Sequence, residues 1–191
     1  FVLDQIPKEY LTDAMTGPLN AWRKPVREKA REIMNISNSA NVEYNISEIV
    51  LKSGNTTNGA EIFTKTCATC HKIKNSGIDF GPPLDDIGSK YGKDALYTSI
   101  IDPSKSINFG YEGEQITTNN GGIYVGIKTN ETADEITLKM AGGLKEIVIK
   151  KNIKERIKVK QSLMTPYLYQ NMTEQELIDL VEYLTTLKKN I

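Results

Sequence analysis

Cys67-Ala68-Thr69-Cys70-His71 is the segment from which the rest of the chain is most usefully read. Two cysteines three residues apart lie one helical turn from each other on one face. Both sulfurs can therefore reach the two vinyl groups of a single haem, and the adjacent histidine can ligate the iron from one side. The remaining composition sharpens this reading, because these are the only two cysteines in the chain and His71 is its only histidine. A tetrahedral zinc site would need a fourth ligand, and a third that is not the immediate neighbour of Cys70. A redox CxxC would want a strand leading into a helix, and none precedes it. The plain structural alternative is a small disulfide loop beside a solvated histidine.

The flanking segments resemble class I cytochromes c. Gly59-Ala60-Glu61-Ile62-Phe63 precedes the first cysteine with Gly and Phe at that family's spacing, and Asp179-Leu180-Val181-Glu182-Tyr183-Leu184 resembles its last helix. The resemblance implies that the two helices cross at Gly59, pairing Gly59 and Phe63 with Leu180 and Tyr183. It implies also that Gly81-Pro82 sends the proline carbonyl to the second ring nitrogen of His71, a bond that fixes the ring and raises its donor strength. A loop proline that only stiffens a turn is the bland alternative.

At 191 residues the chain can hold one domain with a large insertion or two small ones. Its 24 basic and 24 acidic residues balance, which gives no reason to expect nucleic acid or an anionic membrane as partner. No run approaches the length of a transmembrane segment, and no charged-then-apolar signal opens the chain, which starts at Phe1 and reads as trimmed or mature. Thioethers normally form outside the bacterial cytoplasm, so the resemblance implies a periplasmic or otherwise exported protein.

Residues 1–44 read as a helical extension, or the tail of an upstream domain. Helices are expected at Tyr10–Met15 and Val26–Met34 and a linker at Asn35–Asn41, with Trp22 either anchoring this segment on the following domain or belonging to an upstream one. Residues 45–191 are expected to form the cytochrome c domain. Asn58 is a candidate N-cap with Glu61 three residues on. Lys93–Ile101 reads as a helix closed ahead of Pro103. Between about 110 and 160 the period changes to two. Ile123, Val125 and Ile127 alternate with polar or small residues, as do Ile136, Leu138 and Met140, and Ile147 shares a face with Ile149. Ile153, Ile157 and Val159 follow, with Lys154, Arg156, Lys158 and Lys160 on the opposite face as a solvated edge or a docking patch. The fold class is therefore expected to be mainly α, a class I cytochrome c fold with an antiparallel β insertion, a small sheet or barrel, between the middle helix and the axial-Met loop.

The order CxxCH, Phe80-Gly81-Pro82, Ile101-Asp102-Pro103-Ser104, Gly110-Tyr111, a β segment, a Met near a Pro and a final helix resembles one subgroup. It is the planctomycete and verrucomicrobial type of haem-binding domain, found at the C-terminus of large exported dehydrogenase-like proteins. Met164-Thr165-Pro166 departs from that pattern, in which Pro follows Met directly. With no second histidine, the sixth ligand must be Met, Lys, Tyr or an amine, and Met is usual for electron carriers. Met140 continues an apolar strand face. Met172 precedes the capping box Thr173-Glu174-Gln175-Glu176 and can staple onto Leu177. Met15 and Met34 lie in the extension. Met164 lies in a loop before the last helix, where class I cytochromes place their axial Met.

The expected function is single-electron transfer, not catalysis, through one covalent haem c. The expected axial ligands are His71 and Met164, and the expected partner is a redox protein or fused dehydrogenase domain. The cofactor is expected to contact Cys67, Cys70, His71, Met164, Gly81, Pro82, Phe63 and Tyr183. A sensing or catalytic haem with an open sixth position, and a haem that only holds the fold, are the two alternatives.

Overall fold

The computed structural model describes residues 44–189. The expected helices at Tyr10–Met15 and Val26–Met34, the linker and Trp22 lie outside them. Helix α1 (Ile46–Ile49) and helix α2 (Thr56–Ile62) come first, and α2 runs directly into a π turn, Phe63–Cys67. Short helix α3 (Ile87–Lys90) and α4 (Lys93–Ile101) follow. Five strands come next: β1 (Gly113–Thr118), β2 (Ile123–Glu131), β3 (Glu135–Lys139), β4 (Lys145–Ile149) and β5 (Ile153–Val159). A long loop then leads to α5 (Glu174–Thr186).

This arrangement overturns the expectation of a mainly α protein with a minor β insertion. Of the described residues 36% are helical and 23% extended, and the strands make one antiparallel sheet of order β4-β3-β2-β1-β5. The sheet has a core of its own, Ile116, Ile136, Leu138 and Val148, separate from that of the helices. The short apolar repeats understated it because β1, Gly-Glu-Gln-Ile-Thr-Thr, carries almost no apolar pattern. Its inward Glu114 is held by a two-pronged bond from Arg156, whose Nε donates at 2.7 Å and Nη2 at 3.1 Å.

The sheet must also curl. Strands β4 and β5 are its two edges, yet only the turn Lys150–Asn152 joins them. Across a flat sheet those edges would stand roughly 19 Å apart at ~4.8 Å per strand, farther than three intervening residues can reach. Curling brings Glu131 of β2 against Lys150 (3.0 Å) and Arg156 (2.9 Å), so a charged cluster closes one end. The concave face takes Ile116, Tyr124, Ile136, Leu138, Val148 and Ile153. Alternation left open which set faces the core, and the curl decides it. Ile123 and Val125 point outward, 64% and 40% exposed, as do Ile147 and Ile149, while Tyr124 and Val148 point in. Ile153 is separated from the Ile157 face by the register shift at Thr117/Thr118.

In the helical part, α2 crosses α5 so closely that a Cβ on Gly59 would lie 2.0 Å from the Asp179 carbonyl oxygen. Leu177, Leu180 and Val181 of α5 are fully buried there. The α5 start is as read from sequence: Thr173 and Glu176 form a reciprocal capping box. The α2 start is not. Asn55 is the N-cap, its side chain accepting from the Thr57 and Asn58 amides. Asn58 lies inside the helix and donates instead to the Asp179 carboxylate at 2.6 Å.

Candidate functional site

Helix α2 widens into a π turn at the residues that lead to the first cysteine, with the Ala68 amide donating to the Phe63 carbonyl at 2.9 Å. Such one-turn π segments recur at functional sites because they re-aim side chains without ending the helix. The Cys70 and His71 amides then both donate to the Cys67 carbonyl, at 3.0 and 2.8 Å. The motif thus makes a compact turn whose side chains face the same space. The loop behind it is stitched back: the amides of Phe80 and Gly81 donate to the Cys70 carbonyl, and that of Ile78 to Ala68.

His71 Nδ1–H donates to the Pro82 carbonyl oxygen at 2.8 Å. That bond settles the tautomer and leaves Nε2 as the free lone pair. Burial lowers the His71 pKa, against the opposing effect of the Pro82 bond, so the ring favours its neutral, ligating form. Gly81 lies flat on the ring, where a Cβ would meet Cε1 at 2.6 Å. Burial, with Cys70 alongside, pushes the Cys67 thiol up to about 12. A thiol held neutral in this way is a poor zinc ligand and a poor partner for disulfide exchange.

Cys67, Cys70, His71, Phe63, Gly81, Pro82 and Met164 all line one cleft of about 560 Å³, within the range of cofactor pockets, roughly 300–1,000 Å³. Met164 reaches it from the long loop after β5. The loop is anchored where the Ser162 amide donates to Ser104 Oγ and the Met164 amide donates to Ser162 Oγ, both at 3.1 Å. Tyr183 does not line the cleft; its ring packs behind Phe63, centroids 6.0 Å apart. Met172 is half-buried against the helical core, and Met140 packs on the sheet core.

Sequence reading missed much of the wall. Leu84, Leu96, Ile100 and Leu184 supply its helical side, while Ile127 of the central strand β2 and Tyr111, just ahead of β1, bring in the sheet. The Gly110-Tyr111 motif was a usable signal for Tyr111. Nothing local distinguished Ile127 from Ile123 and Val125.

The donor set fits a covalently held haem: two thiols and a free imidazole nitrogen open into a largely apolar cleft that also holds a thioether. A model of the Cytochrome c family matches residues 56–138, a little under half of the chain and inclusive of the whole cysteine-histidine motif. The match supports a c-type cytochrome domain in this part of the chain. Such a domain implies covalent haem c, and it suggests an electron-transfer role and redox partners. The family match to this cytochrome ends in β3, before Met164 and α5. No curated protein matches the chain. Among the described residues no helix is long and apolar enough to cross a membrane.

Proposed function

We propose that this cytochrome domain is a monohaem electron carrier in which Cys67 and Cys70 hold haem c through thioethers and His71 and Met164 are its axial ligands. When bound, the haem supplies a reversible one-electron couple. The chain's part is to fix the imidazole through Pro82, to present a thioether that favours the reduced state, and to keep water out with apolar walls. The observation that carries the reading is the convergence of these four side chains on one cleft.

A cytoplasm-external location follows from thioether chemistry. The motif order that resembles the planctomycete-type domain favours a periplasmic dehydrogenase, fused or separate, as electron donor. The unit proposed spans residues 45–191, with residues 1–44 as an extension.

Replacing Met164 by Ala should remove the weak long-wavelength sulfur-to-iron band, lower the potential and admit carbon monoxide. Met172→Ala should leave the spectrum unchanged and cost about 1 kcal/mol through a weaker start of α5. Loss of the band in the Met172 variant and its retention in the Met164 variant would overturn the ligand assignment. Carbon monoxide binding by the unaltered protein would favour a sensing or catalytic haem instead.

A further inference from the structure

Lys139, at the end of β3, is only 8% exposed although it lies on the outer face of the sheet. Its register partner on β2 is Ile127, and its ammonium sits 5.8 Å from the centre of the Tyr111 ring. Both neighbours line the cofactor cleft, so the charge stands one side chain behind the wall. Its ion-pair partner is Asp79, in the loop that follows the cysteine-histidine motif, at 2.8 Å. The Lys139 hydrogen bond holds the Asp79 carboxyl below the usual carboxylate range, and Lys72 and Lys145 add to the effect.

The two charges differ in their surroundings. The Lys139 side chain is 10% exposed and the Asp79 side chain 64%. Coulomb interactions weaken in proportion to the local dielectric, so the field of Asp79 is largely cancelled by water and salt while that of Lys139 is not. Seen from the cleft, the pair is a net positive charge.

We infer that Lys139 raises the reduction potential of the haem site, which makes the sheet an electrostatic wall of the cleft as well as a cover. Reduction adds one electron to the site and removes one unit of positive charge. A cation held nearby in a poorly screened position therefore favours the reduced state, and a carboxylate opposes it. The inference rests on haem c occupying the cleft, as proposed above.

The test is a spectroelectrochemical titration of the full-length holoprotein and three variants, with intact mass confirming attached haem in each. Lys139→Met should lower the midpoint potential. Asp79→Asn should raise it by less, and the shift should shrink as salt is added. Lys145→Met removes an exposed charge one strand farther from Ile127 and should move the potential least. Potentials that move in the same direction for Lys139→Met and Asp79→Asn, or that do not move in proteins with attached haem, overturn the inference and leave the haem reading intact. A wild-type protein without attached haem overturns both. Should Lys139→Met fail to fold, Lys139→Gln, which keeps a polar end group for Asp79 while removing the charge, takes its place: a lowered potential supports the inference, and a rise or no change overturns it.

Discussion

Asp179 is a carboxylate buried where α2 crosses α5, 3% exposed, and its surroundings show how one side chain can tie two distant segments. It accepts from the Asn55 amide at 2.8 Å, from Asn58 Nδ2 at 2.6 Å and from Gln175 Nε2 at 2.7 Å. Burial pushes its pKa up, but the three donors outweigh that and hold it below its ordinary value. A depressed folded pKa contributes stability that is present in full above the unfolded value, about 3.9, and is lost as the pH falls through the folded one. Asp179→Asn should therefore cost about 1–3 kcal/mol at neutral pH and progressively less in acid. Urea midpoints measured from pH 7 down to pH 2 check this, and an offset constant over that range would contradict it. Gly81 illustrates the opposite device, an absent side chain that lets backbone lie against the His71 ring.

The elements divide into two cores, of which the helical one reaches the cleft while the sheet lends it only Ile127 from the opposite face. Leu138 is fully buried in the sheet core and contributes nothing to the helical one. Leu138→Ala should cost about 2–4 kcal/mol, as expected when a packed leucine leaves a cavity. The loss should fall on the sheet, so the haem spectrum of the folded variant should match the wild type. Thermal unfolding followed both in the far ultraviolet and at the haem band checks the division; a changed spectrum in the native baseline would show that the cores are not separable. On α5, the capping box and the buried stripe Leu177, Leu180, Val181 and Leu184 fix both where the helix starts and which face it buries.

At the scale of the molecule, the sheet is joined to the loop that follows the cysteine-histidine motif by Lys139–Asp79 and by the close approach of Gly143 to Ile78, and it lends Ile127 to the cleft. Replacing residues 112–160 by a short linker removes that wall but leaves Cys67, Cys70, His71 and Met164 in the chain. Such a protein should still attach haem, as mass and an extraction-resistant haem spectrum would show. Its potential should fall below that of the intact protein, because water reaches the cleft and the buried ammonium is gone. Failure to attach haem under any condition would show instead that the sheet is needed to form the site.

The sequence by itself determined the parts of this protein whose chemistry is local. The cysteine-histidine spacing, the helix Lys93–Ile101 ended before Pro103, and the Thr173–Glu176 box each depend on residues within a few positions of one another. The Pro82 bond to His71 was legible through a family resemblance. Tertiary structure decided the rest, for reasons that alternation cannot encode. A strand with apolar residues every second position does not say which face is inside, and curling of the sheet put Tyr124 in and Ile123 out. Asn55 and not Asn58 caps α2, because Asp179, far away in sequence, claims Asn58. Lys139 looked like any surface lysine until pairing with Ile127 and contact with Asp79 set its charge behind the wall of the cleft. Burial and screening belong to positions in space, and only the folded chain assigns them.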